Sequence, residues 1–153
     1  MRARVANYAD LAELVKLARR HHELNDWNFL PFSSQKVRNK LVTMMRSPGT
    51  DVLVAEDEDR KLQGMLLAGL YQFFMNQQLY ASDVHFVADK GGVELLRLFF
   101  KWAEERRAQM CFMTIATADT EERVRGFYEA CGMERIGMIY VKRFHVEPQE
   151  QVA

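Results

Sequence analysis

Two apolar runs in the second half of the chain, residues 93–103 and 110–116, limit most strongly what this sequence can become. The first, VELLRLFFKWA, repeats apolar side chains at helical spacing and carries so few polar ones that a sheet or a partner must cover most of its circumference. The second, MCFMTIA, is short and continuously apolar, as a strand covered on both faces should be. A helix leading into such a strand predicts a crossover between parallel neighbours. The preceding segments read differently. Residues 52–55 and 65–71, joined by the charged turn Asp57-Glu58-Asp59-Arg60, predict an antiparallel hairpin, and a further strand is expected over 79–87. The chain should therefore build a mostly antiparallel sheet that contains one parallel pair.

A first strand is predicted at 2–5, and a helix follows in which Leu11, Leu14, Val15 and Ala18 share a face. Asn7 or Asp10 caps it, and Arg19-Arg20-His21-His22 suits the negative end of its dipole. After a loop rich in large aromatics, 24–32, Ser33 or Ser34 opens a second helix with Val37, Leu41 and Met44 inward, which stops near Pro48-Gly49. Thr120 is the expected cap of a fourth helix, with Val124, Phe127, Tyr128 and Cys131 facing in and Gly132 ending it as a left-handed cap. Residues 136–141 read as a closing strand and 147–153 as a flexible tail. The expectation is one α/β (α+β) domain over 1–146, with six to seven strands and about four helices.

Composition narrows the function. A chain of 153 residues buries roughly 70% of its unfolded surface, so a core forms without staples. The 21 Lys and Arg balance the 21 Asp and Glu, which removes the net field that a nucleic-acid backbone or an anionic membrane would need. No run approaches the roughly 18 apolar residues of a membrane span, and the amino terminus lacks an apolar signal core, so a cytoplasmic location is expected. Cys111 and Cys131 lie in apolar segments and read as buried thiols, and Met44, Met45 and Met113 as core fillers.

The element order, with Gly126-Phe127-Tyr128-Glu129-Ala130-Cys131-Gly132-Met133 near its end, resembles the GNAT superfamily of N-acetyltransferases over residues 2–144. In that family an aromatic-Tyr pair precedes by four residues the glycine that ends the fourth helix, and Ile136-Gly137-Met138-Ile139-Tyr140-Val141 suits its last strand. The overall look is that of compact bacterial and bacteriophage-encoded members. The resemblance implies an acyltransferase that moves the acetyl group of acetyl-CoA (coenzyme A) to a primary amine of a small molecule or protein.

It also implies site residues. The family's cofactor loop normally reads Gln or Arg, two residues, Gly, one residue, then Gly or Ala. Here Val87-Ala88-Asp89-Lys90-Gly91-Gly92-Val93 stands in its place, shorter, and with an Asp89 carboxylate that repels phosphate unless it points away. Either Lys90, Gly91, Gly92 and Val93 cradle the pyrophosphate, or this is a plain glycine turn into a buried helix. Backbone groups near Phe86 or Val87 would meet the pantetheine arm and the thioester carbonyl. Tyr128 would be the acid for the departing thiolate, since a phenol near about 10 can protonate a thiol near about 8.5 at modest cost; the alternative is a core aromatic. Asp83 and His85, two apart, should share one strand face, where His85 with Asp83 serves as general base or is simply structural. The acceptor region implied is the first interhelical loop, with Glu23, Trp27 and Phe29 beside His21, His22, Asp26 and Phe32; acid and aromatic groups suit a cationic amine, and packing under the sheet explains the aromatics equally. Zinc is not expected, because His21-His22-Glu23 point in different directions from a helix. Arg123 and Arg125 meet phosphates or are solvated helix charges. Two further readings stay open: a GNAT-like binding or regulatory module without turnover, and a homodimer formed through the apolar last strand.

Overall fold

The computed structural model describes residues 1–25, 28–115, 121–137 and 142. In chain order the elements are β1 (Arg2–Val5), a 3-10 turn (Tyr8–Asp10), α1 (Leu11–Leu24), α2 (Ser34–Arg46), β2 (Thr50–Glu56), β3 (Leu62–Gln72), β4 (Leu79–Ala88), α3 (Gly92–Glu105), β5 (Ala108–Phe112) and α4 (Glu121–Ala130). The sheet order is β1-β2-β3-β4-β5. The first three pairings are antiparallel and β4 pairs β5 in parallel, with α3 as the crossover that the apolar runs predicted.

Both faces of the sheet are covered, which is why β2 and β3 read as nearly unbroken apolar runs. On one face Leu11, Leu14 and Leu17 of α1 and Leu41 and Met44 of α2 pack on Val52, Val54, Met65 and Leu67. On the other, Leu95, Leu96, Phe99 and Trp102 of α3 and Tyr128 of α4 pack on Leu53, Leu66, Ala68 and Ala81. Alternate residues of one strand thus feed two separate cores. The caps are largely local. Asn7 caps the 3-10 turn, accepting from the Ala9 amide while Asp10 accepts from the Asn7 amide. Ser33 caps α2 through the Lys36 amide. Gly132, at φ +85°, ends α4 with the Met133 amide on the Tyr128 carbonyl at 3.1 Å. Arg4 binds Asp10 and Glu56, each at 2.8 Å, and so ties β1 to its neighbour and to the first turn.

Four expectations need correction. Five strands are described rather than six to seven: Ile136 and Gly137 are not in a strand, and 138–141 lie outside the described residues, as do Thr120 and the 147–153 tail. The last described strand is Ala108–Phe112, two residues earlier than predicted, because Arg107 adopts a left-handed φ of +62° and starts the strand at once. Among the described residues β5 is the sheet edge rather than a strand covered on both faces, and Met110 is 47% exposed. Cys111 and Cys131 are free but half-buried rather than buried.

Candidate active site

The β4–β5 ladder is short. It runs from Leu79↔Ala108 through Ala81↔Cys111 to Ser82↔Phe112 and stops. β4 continues to Ala88 while the other chain leaves the ladder at Met113. From Asp83 onward β4 therefore has no strand on its β5 side among the described residues, and a fork opens between the two. On its other side β4 pairs with β3, but the register jumps: Ala68 faces Asp83, and Leu67 faces His85. Val84 is thus a surplus residue, a β-bulge, and a bulge breaks the alternation of side chains. Ala68 belongs to the core under α3 and α4, and Leu67 to the core under α1 and α2. Asp83 and His85 consequently face opposite sides of the sheet, against the expectation that they share one.

What joins Asp83 is Tyr128. The Thr114 amide donates to Asp83 Oδ1 at 3.1 Å and Thr114 Oγ1 to Oδ2 at 3.4 Å, while Tyr128 Oη donates to the Thr114 carbonyl at 3.3 Å. The link sits where the strands part. Burial pushes the Asp83 carboxyl up to about 6, against the opposing pull of the Thr114 hydrogen bonds. Burial first, and then the Asp83 charge, hold the Tyr128 phenol well above its ordinary range, so it stays a protonated donor. The ring is 8% exposed and lies beside Phe86 and Phe127, so the core and proton-donor readings of Tyr128 describe one residue with two ends. Thr114, hidden in an apolar run, gave no sequence signal for this role.

On the opposite face, burial first and then the proximity of His21 and His22 hold His85 below the usual imidazole range, so at neutral pH it is the free base. Burial does the same to His21, whose Nε2 stands 3.4 Å from Asp89 Oδ1 without hydrogen-bond alignment. His22 Nε2 lies 2.8 Å from the Leu30 carbonyl, and Arg19 sits over the Phe32 ring, so the end of α1 fastens the following loop. Of the predicted acceptor residues, Glu23 is exposed on the last turn of α1, Phe29 is half-buried, and Asp26 and Trp27 lie outside the described residues.

The turn into α3 resolves the objection raised by Asp89. Its carboxylate is bound by Arg20 of α1, and its amide donates to the Gln63 carbonyl at 2.8 Å, so the charge points away from the helix start. Gly91 has φ +79°, and a Cβ there would fall 2.7 Å from Ala55 Cβ, so only glycine fits. Gly92 begins α3, where the first-turn amides have no partner within the helix. A Cβ on Gly92 would meet the Phe127 ring at 3.2 Å. Lys90 and Val93 are exposed beside this start. Left-handed glycine, free first-turn amides, an exposed lysine and a withdrawn carboxylate fit a diphosphate. Phe86 stacks on Phe127 on the α3/α4 face, and Val87 packs against the α1/α2 core. Arg125 pairs with Glu122 and Glu129 at 3.8 Å each, the solvated-face reading of that residue. No described helix is long and apolar enough to cross a membrane.

No protein-family model and no curated protein matches this chain. Solved structures do share its fold. A transcriptional regulator from Bacillus halodurans C-125 is 19% identical, with a TM-score of 0.71 over 93% of this chain and 98% of that one. Glucosamine-6-phosphate N-acetyltransferase from Arabidopsis thaliana is 14% identical, with a TM-score of 0.72 over 94% and 97%. A GNAT family acetyltransferase from Staphylococcus aureus is 16% identical, with a TM-score of 0.66 over 93% and 97%. Identities this low establish the fold alone.

Proposed function

We propose that this chain, folded as the GNAT acetyltransferases are, is an acyltransferase that moves the acetyl group of acetyl-CoA to a primary amine. The observation that supports it best is the Asp83–Thr114–Tyr128 link at the fork between β4 and β5, with a neutral His85 on the other face. Lys90 and the amides of Gly91, Gly92 and Val93 would hold the coenzyme's diphosphate. The open edge of β4, including Phe86 and Val87, offers backbone donors and acceptors to an extended arm laid beside it. When bound, acetyl-CoA supplies an acyl group activated as a thioester.

The chain's own residues divide the proton traffic. His85, as free base, takes the proton from an incoming ammonium on the α1/α2 face, beside His21 and His22; Glu23 and Phe29 would line the acceptor region. Tyr128 Oη holds the proton that a departing thiolate requires. Asp83 does not serve His85; it fixes Thr114 so that the Thr114 carbonyl aligns the phenol. A second reading, a catalytically inactive binding or regulatory module of this fold whose degenerate coenzyme turn no longer holds acetyl-CoA, is favoured by the shortness of that turn and by the Phe127 ring lying where a Cβ on Gly92 would meet it at 3.2 Å.

Thermal unfolding with and without acetyl-CoA separates the two. A ligand at about a hundred times its dissociation constant adds about 2.7 kcal/mol of stability, or about 5–10 °C for a chain of this size. No shift at millimolar acetyl-CoA favours the module. Given a shift, Tyr128→Phe should lower turnover at least tenfold while the shift is retained, and unchanged turnover would leave Tyr128 a packing residue.

A further inference from the structure

The basic run that closes α1, Arg19-Arg20-His21-His22, divides its contacts between two places. Arg19 donates to Ser34 Oγ at 2.7 Å and lies over the Phe32 ring, and His22 meets the Leu30 carbonyl, so these two serve the loop between the helices. Arg20 and His21 turn the other way, onto Asp89. Arg20 Nη2 donates to Asp89 Oδ2, while His21 Nε2 stands off Oδ1 with no hydrogen-bond partner of its own. Among the described residues no other cation pairs with this carboxylate.

The neighbouring charges show why that pairing matters to an anion at the start of α3. Asp89 stands just before Gly91 and Gly92, and Glu94 follows in the first turn, its Oε2 3.9 Å from where a Cβ on Gly91 would lie. Lys90 offsets one of these two carboxylates, and only Arg20 offsets the other. His21, kept neutral chiefly by burial, adds no charge there. Without Arg20 the turn would carry an excess negative charge close to where a diphosphate settles. The backbone does not depend on Arg20. The Asp89 and Lys90 amides both donate to the Gln63 carbonyl of β3, at 2.8 and 3.4 Å, and Gly91 packs close against Ala55. Removing Arg20 therefore frees the Asp89 side chain without dissolving the turn.

We propose that Arg20 is a positioning residue for the coenzyme: it keeps the Asp89 carboxylate on the α1 side and cancels its charge, so that a diphosphate can settle on Lys90 and the first-turn amides of α3. The inference rests on the coenzyme-binding part of the acyl-transfer reading and adds to it a residue from another element, 69 residues away in sequence. Arg20 acts through Asp89 and not on the reacting atoms.

The test is calorimetric titration of acetyl-CoA into the parent and four variants, with inorganic pyrophosphate titrated alongside by NMR. Arg20→Ala should weaken binding at least about fivefold and Arg20→Lys, which keeps a cation, less than about twofold, while Asp89→Asn should bind at least as tightly as the parent. The double variant Arg20→Ala/Asp89→Asn should return to within about twofold of the parent, because the charge that Arg20 holds is then gone. A clasp that merely tied α1 to the turn predicts the reverse: Asp89→Asn as harmful as Arg20→Ala, and no recovery in the double variant. That result, or an Arg20→Ala that binds like the parent, overturns the proposal. Both side chains are half-exposed, so the variants should fold. Should Arg20→Ala fail to, Asp89→Asn decides alone, weaker binding overturning the proposal and equal or tighter binding supporting it. If the parent binds pyrophosphate with this pattern but not acetyl-CoA, the acyl-transfer reading fails and the role of Arg20 stands. If it binds neither, both fall.

Discussion

Replacing Asp83 with Asn removes an ionisable group while keeping its size and one acceptor oxygen. In the folded chain burial holds this carboxyl near 6, against 3.8 when it is free. Ionising a carboxyl so placed costs the folded state about 3 kcal/mol. The folded pKa is raised, so the folded state binds its proton more tightly than the unfolded state does. The stability contributed by this group is therefore complete below about pH 4 and is lost as pH rises through about 6. Asn carries no such dependence. Against this gain, Thr114 exchanges bonds to a carboxylate for weaker bonds to an amide, a loss of about 1 kcal/mol. Asp83→Asn should then be more stable than the parent by about 1–3 kcal/mol at pH 7, and equal to it or about 1 kcal/mol less stable at pH 4. Urea unfolding followed by circular dichroism at the two pH values reads both numbers. The reasoning is refuted if the substitution has the same effect at both, or if it destabilises at pH 7.

Gly91→Ala forces a side chain into a left-handed backbone and onto the buried Ala55, and should cost about 2–4 kcal/mol. Gly126→Ala, inside α4 with nothing within 4 Å, should instead add about 0.5–1 kcal/mol. Thermal melts of the pair check both signs, and equal behaviour would discredit the turn geometry. Arg4→Ala strands buried Glu56 and half-buried Asp10, so a loss of about 3–5 kcal/mol is expected in urea titrations at pH 7. A loss under 1 kcal/mol would show that the cluster is only a surface contact.

Most of the architecture was legible because it follows from periodicity. The stripe through Leu11, Leu14 and Ala18, the hairpin around the acidic turn, and the apolar helix feeding an apolar strand each have one packing solution, and the structure adopts it. The site was only partly legible. Nothing in Ser82-Asp83-Val84-His85 announces a bulge, because a strand with one surplus residue has the same composition as one without. Counting by two therefore put Asp83 and His85 on the same side. Asp89 looked hostile to phosphate because its partner, Arg20, lies 69 residues earlier, and local sequence carries no trace of so distant a pairing. The start of β5 was misplaced for a similar reason: an arginine, not a glycine, adopts the left-handed turn at 107. Thr114 stood out least, as one hydroxyl in a greasy heptapeptide, yet it fastens the acid to the tyrosine.

The surplus Val84 also governs what can change without harm. Because it sends neighbouring side chains through a wall one residue thick to opposite compartments, the proposed donor room and the proposed acceptor room share a partition but no furniture. Substitutions around His85 can reshape its side of the sheet while the Asp83–Thr114–Tyr128 fastening on the other stays intact. A scaffold partitioned in this way can trade specificity at little structural risk.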